Sequence, residues 1–425
     1  MKLKSITSAA IAALIAGAPL SAQELTIWGI PAFNEAGDAA VAAMVEAFAA
    51  EAGIEASYSV VPANVLDQRL AAAFEGGSAP DVFMQVSGLA QFYITRDLVQ
   101  PLDGVLETIK AVEGGIYEGT LPQGIKDGMS YALPVEISLS PMYARTDLLE
   151  EVGMGLPETF EELREASQKI IEANPQIAAF GLPTSNGNDA EAGLRRIVWS
   201  WGGAMFAEDG QTVTWESPET VAAYQFIKEM FEEGTIPRST LTWDDGGNNT
   251  AYQTGRTAFT MNPPSIYQWM VENDEELLAN TALIATPSGP GEMGQKASSV
   301  SSFMWMVSAS SDMPDEAVGW LNYFYEPDRY RELIDAVGGR WVPIYPMLTQ
   351  SMPLFTETPA FANFDEMAST GIVDGYRGPP SALSAEIATA KIVSNSVQRM
   401  LVDGESPEEA VAWAQAEMEG LAAAQ

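Results

Sequence analysis

Cysteine and histidine are both absent from this 425-residue chain. Without cysteine there is no disulfide, no thiolate nucleophile and no Cys-based metal site. Without histidine, imidazole-dependent triads, His-metal sites and a side chain that naturally titrates near neutrality are excluded as well. Bases are scarce: 21 Lys and Arg stand against 58 Asp and Glu, a formal charge of -37. Nucleic-acid binding rests on Lys and Arg neutralising phosphates, so nucleic acid is a poor partner, and an anionic membrane surface equally poor. The acidity serves solubility; a cationic ligand is the sharper alternative, which net charge alone does not support. Long apolar runs are missing too, apart from one near the start. Residues 1–22 read as an export signal, with Lys2 and Lys4 before an apolar run from Ala9 to Ala16. Gly17 and Pro19 break that run, and Ser21-Ala22 offers a cleavage site before Gln23. The run is shorter than the roughly 20 residues that cross a bilayer, and no later stretch is longer.

What remains, about 400 residues, exceeds one simple core, so two domains are expected. From Glu24 short apolar strands alternate with amphipathic helices. ELTIWGI is a strand, residues 36–52 an Ala-rich helix closed by Gly53, and IEASYSVVP the next strand. VLDQRLAAAFEGG then reads as a helix and APDVFMQ as a third strand. This order argues for a mostly parallel sheet with helices on both faces. Residues 160–173 and 219–233 are further helices, started by Thr159 with Glu162 and by Ser217-Pro218-Glu219. ALIATP (282–287) reads as a strand returning to the first domain. On periodicity alone, one long alternating α/β domain is the competing architecture. No internal repeat and no low-complexity tract is present.

The stretch SYALPVEISLSPMYARTDLLEEVGMGLPETFEELRE (130–165) is the most telling. Glu136 follows an extended apolar run, and a carboxylate there is costly unless a partner or water meets it. An ordinary edge-of-sheet glutamate in water is the bland reading. Yet the stretch resembles extracellular solute-binding proteins of family 1, the maltose-binding-protein-like sugar receptors of ABC importers. Other stretches match that family in the same order: ELTIWG (24–29), GGSAPDVFMQ (76–85) and AYQTGRTAFTMNPPS (251–265). SSFMWMVSASS (301–311), GGRWVPIYP (338–346) and GESPEEAVAWAQAEME (404–419) complete the series. The resemblance implies a periplasmic binding protein-like type II α/β fold, two discontinuous lobes joined by a hinge with a ligand cleft between them. The expected bounds are 23–135 plus 292–340 for lobe 1 and 136–291 plus 341–425 for lobe 2, after a signal peptide at 1–22. It also implies a periplasmic monomer that hands a carbohydrate to permease subunits in the inner membrane. The lipid-bearing cysteine of many relatives is missing, which fits a freely diffusing receptor.

Sugars present hydroxyl edges and apolar C–H faces, so their sites combine aromatic plates with Asp, Glu, Asn, Gln or Arg. Of ten tryptophans, Trp199, Trp243 and Trp341 stand in loop-like contexts, whereas Trp305, Trp320 and Trp413 fit core periodicity. The resemblance points to Phe33 and Asn34 after the first strand, Gln85 and Ser87 after the third, and Glu136 as a hydroxyl acceptor. Asp244, Asn262, Arg340, Trp341 and Tyr376 complete the candidate ligand contacts. The chain departs from the family at Ser265, where a tryptophan is common, and near Gln85, where an aromatic or acid is common. Arg340 offers a bidentate fork for an anionic ligand, against the plainer reading of a local ion pair. The same fold serving a polyol, an acidic sugar derivative or a polyamine is the alternative. No nucleophile elbow, P-loop or zinc motif appears, and 58 acids guarantee chance carboxylate pairs, so a glycosidase has no specific support. The Asp244-Asp245-Gly246-Gly247 loop lacks the alternating ligands of an EF-hand; neither a metal nor a cofactor is expected.

Overall fold

The computed structural model describes residues 23–32, 35–358 and 361–424. The export signal therefore lies outside the described residues. The strands in chain order are β1 (Glu24–Gly29), β2 (Glu55–Val60), β3 (Val82–Val86), β4 (Ile125–Lys126) and β5 (Met129–Ser130). Next come β6 (Leu133–Pro134), β7 (Ser138–Ser140), β8 (Met142–Arg145), β9 (Ala178–Phe180) and β10 (Thr257–Met261). The last four are β11 (Thr281–Ile284), β12 (Ser298–Ser301), β13 (Phe303–Val307) and β14 (Gly371–Ile372).

A first sheet runs β2-β1-β3-β13-β6. Leu25 and Ile27 point into its core, and β3 is buried on both faces, which explains its unbroken apolar run. Asp81 locks β1 to β3, its Oδ2 accepting from the backbone and hydroxyl of Thr26 while Ser311 donates to Oδ1. β1, β2 and β3 are parallel, as their βαβ spacing predicts, but β13 runs antiparallel to β3 and β6. The reason is topological. β13 enters this sheet from the second lobe, at the end where the parallel strands finish, with Phe303 opposite Val86. A second sheet runs β11-β8-β10-β9. It corrects the expectation for ALIATP: Thr281–Ile284 pairs antiparallel with β8 and stays in the second lobe.

Helix boundaries follow the chemistry read from the sequence. Thr159 and Glu162 form a reciprocal capping box on helix Phe160–Ala173. Ser217 caps Pro218–Glu233, which Gly234 ends at φ 81°. Two large apolar cores result. One centres on Ile27, Phe83, Trp305 and Trp320, the other on Phe180, Ile197, Tyr224 and Phe259. Residues 341–367, placed in lobe 2 by the expected bounds, contribute Trp341, Tyr345, Phe355, Phe361 and Phe364 to the first core. Phe361 also meets Tyr267, with ring centroids 4.9 Å apart, so this aromatic segment packs against helix Ser265–Asn273.

Between the two large sheets lies a small one, β14-β12-β7. β7 links β6 of the first sheet to β8 of the second, and β12 leads directly into β13. Three passages of the chain thus hydrogen-bond to one another at the junction of the lobes.

Candidate functional site

The junction sheet is made of small polar residues, SLS in β7 and SSVS in β12. Small side chains leave space there. A cavity of about 260 Å³ opens against these strands, walled by Ser138, Ser299 and Ser301. Ser87 and Gly88, just past the carboxyl end of β3, form another wall, and Gln123, Ser302 and Phe303 a third. Two carboxyl groups face in, Glu136 and Asp374. The position accords with α/β folds generally, whose ligands bind beyond the carboxyl ends of the strands. Past Gly88 the cavity adjoins an open groove of about 810 Å³ between helices Ser87–Thr95 and Ala382–Thr389.

Glu136 is 1% exposed. Its Oε1 accepts from the Phe303 backbone at 2.9 Å, and its buried Oε2 has no hydrogen-bond partner. Burial drives its pKa up to about 8, opposed by the Phe303 N–H and the nearby Arg340 charge. Arg340 lies behind it, half-buried, its own pKa lowered by burial and restored in part by Glu136 and Tyr143. Burial thus favours the neutral, protonated form of this cavity-lining carboxyl. Ser87 Oγ accepts from the Ser302 backbone at 3.1 Å, and Ser87 N donates to Ser302 O, pinning β3 to the β12–β13 turn.

The second lobe contributes helix Asn188–Ser200. Its Arg196 is buried and donates to Ser140 O, tying the helix to the junction strand. Burial lowers the Arg196 pKa to about 10, which nearby Asp189 opposes. Arg195 Nη1 lies 3.0 Å from Asp374 Oδ1 and its guanidinium sits 5.7 Å from the Trp199 ring centre. Trp199, 1% exposed, packs with Ala297, Ile372 and Tyr376 in a small cluster of its own, none of which lines the cavity. Tyr376 meets it edge-on at 6.4 Å, and its hydroxyl accepts from Gln295 at 3.0 Å.

Of the residues named from sequence, Ser87 and Glu136 line the cavity itself. Trp341 stands one layer back, buried edge-on against the cavity residue Phe303 at 6.2 Å. Gln85 turns into the first lobe, donating to Asp67 Oδ1 at 2.7 Å and accepting from Val86 N. Asn262 is buried in an amide network, accepting from Asn248 and donating to Ser265 Oγ at 2.8 Å. Trp243 is half-buried and Asp244 exposed, and neither reaches the cavity; the Trp243 carbonyl accepts from Ser185. Asp245, beside them, serves the start of helix Asn188–Ser200 by accepting from Asp189 N and Asn188 Nδ2. Phe33 and Asn34 lie outside the described residues. Sequence reasoning missed Gln123, Asp374, Arg195 and the serines of β7 and β12. The density of serine in SSVSS (298–302) and the Arg195-Arg196 pair in a base-poor chain were the available signals. Among the described residues no group of three or more acids is placed to hold a metal ion, and no helix is long and apolar enough to cross a membrane.

This geometry can be set beside known proteins. The family model of the bacterial extracellular solute-binding proteins matches residues 32–329. A putative binding protein of Brucella abortus (strain 2308) is 25% identical over 288 residues, 67% of each chain. The lactose-binding protein of Rhizobium radiobacter is 27% identical over 343 residues, 77% of this chain and 76% of that one. The crystal structure of the cyclic α-maltosyl-1,6-maltose binding protein from Arthrobacter globiformis superposes with a TM-score of 0.80. It covers 95% of this chain and 100% of that one at 18% identity, a likeness of fold.

Proposed function

Because the chain belongs to the family of bacterial extracellular solute-binding proteins, we propose that it is the carbohydrate-binding subunit of an ABC importer. It works in the periplasm after loss of residues 1–22, as a monomer, and passes its ligand unchanged to the membrane permease. The observation that carries the reading is the cavity at the lobe junction, lined by serine hydroxyls and two carboxyl groups. A carboxyl buried with one oxygen unpartnered is expensive, and a ligand hydroxyl removes that cost. The names of a lactose-binding relative and a maltosyl-saccharide-binding neighbour point the same way. The lobes exchange the chain near 136–141, 285–302 and 368–381, and a ligand touching both favours the closed form over the open one. Closure follows because only the closed form makes both sets of contacts.

Calorimetric titration with neutral mono- and disaccharides, polyols and polyamines tests this. A saccharide is expected to bind and to shrink the scattering radius on binding. Binding of a polyamine or polyol but no saccharide refutes the carbohydrate assignment, and turnover of a bound glycoside refutes binding without chemistry.

A further inference from the structure

Arg195 is a cation within electrostatic reach of two acids, of which only Asp374 pairs with it directly. Glu191, one helical turn earlier, is buried, and its carboxyl accepts from Ser394 N at 2.8 Å. Asp374, about one-third exposed, lies 3.0 Å away. Asp374 lines the cavity and Arg195 does not. The Arg195 side chain is 7% exposed, and its Nε and Nη1 make no hydrogen bond within the protein, only the ion pair. Burying a guanidinium with donors unspent is a poor stability device, because breaking even against desolvation requires saturated hydrogen bonding. It is a good way to fix one carboxylate. Asp374 lies in the turn just past β14, followed by Gly375 at φ 101°, a conformation that glycine adopts without strain. Arg195 holds the Asp374 side chain from the neighbouring helix.

The Asp374 carboxylate is the member of the pair that lines the cavity, with the Arg195 cation set back from it. A sugar hydroxyl can donate to Asp374, whereas a sugar acid brings a second carboxylate against it. Like charges at an excluded, partly desolvated site repel strongly. Arg340, the other candidate for an anionic ligand, does not line the cavity.

We propose that Asp374 is a hydroxyl acceptor at the lobe junction, that Arg195 is the residue positioning it, and that the pair selects neutral sugars over sugar acids. This rests on the carbohydrate reading above and specifies its substrate class.

The test titrates the full mature chain with glucose, galactose, arabinose, xylose, lactose and maltose, then with the aldonate or uronate acid of the tightest binder. The wild type should prefer the neutral sugar by about tenfold or more, and Asp374→Asn should reduce that preference to about threefold or less. Arg195→Met should weaken the neutral sugar about 10- to 100-fold, as expected for losing an oriented charged hydrogen bond, with Arg195→Lys recovering part of it. In the Asp374→Asn background, Arg195→Met should cost little more, because the two act as one unit. Melting curves accompany each variant; should Arg195→Met fail to fold, the Asp374→Asn selectivity decides alone. Equal binding of acid and neutral sugar by the wild type overturns the proposal, as do fully additive losses. Absence of binding by every saccharide overturns the carbohydrate reading itself, a result distinct from either of those.

Discussion

Replacing Glu136 by Gln should flatten the pH dependence of folding stability. In the folded chain this carboxyl titrates near 8 against an ordinary 4.5, chiefly through burial. Between those values the folded state holds a proton that the unfolded state has released. Stability changes with pH as the protons bound by the unfolded state minus those bound by the folded one, so here it falls as pH rises. The contribution is full below the unfolded pKa and lost as pH climbs through the folded one. Each unit is worth about 1.4 kcal/mol, so the shift amounts to about 5 kcal/mol, of which about 4 falls between pH 5 and pH 9. Glutamine keeps the shape and the acceptor for Phe303 N–H but has nothing to ionise in this range. Urea unfolding of both proteins at unit pH steps gives the difference curve directly, and half-buried Asp189 and buried Glu191, both raised by burial, cancel from it. The variant should gain on the wild type by about 4 kcal/mol over that span. A flat difference curve would mean that Glu136 is ionised throughout and balanced by Arg340, and the argument for a protonated donor in the cavity would fail.

Other expectations follow from the same geometry. Glu136→Ala should weaken the saccharide ligand by about tenfold or more in calorimetry, since it removes a buried hydrogen-bonding group from the cavity wall. Gly371→Ala should lower the urea midpoint by about 1–3 kcal/mol equivalent. The cause is a Cβ there meeting Val300 Cγ2 at 2.3 Å inside the junction sheet. Phe361→Ala should cost about 3 kcal/mol by the same assay. It removes a buried ring that meets Tyr267 on one side and Phe355 at 5.2 Å on the other. Arg164→Ala, which breaks partly exposed surface pairs with Glu229 and Glu233, should change stability by about 1 kcal/mol or less.

Much of the architecture was readable beforehand because it follows from local chemistry. The βαβ alternation, the Thr159 and Ser217 caps and the core character of Trp305 and Trp320 each depend on a few neighbouring residues. Glu136 stood out because an acid after an apolar strand demands a compensating partner. The direction of β13 was not readable, since it depends on where the chain re-enters the first lobe. Nor were the orientations of Gln85, Trp243 and Asn262. Each has a polar or aromatic group suited to a ligand; the amides of Gln85 and Asn262 are engaged by Asp67 and Asn248, and Ser185 bonds the backbone carbonyl of Trp243. The serines of β12 carry no amphipathic signature at all, so their role emerges only when three distant segments are brought side by side.

In the proposed closure mechanism the junction strands are both the fulcrum of the molecule and the floor of its cavity. Atoms at a fulcrum scarcely move while the rims of the levers sweep widely. On that reading a ligand seated on Ser138, Ser299 and Ser301 meets the floor of the cavity first, and the contacts that draw the two lobes together are made last.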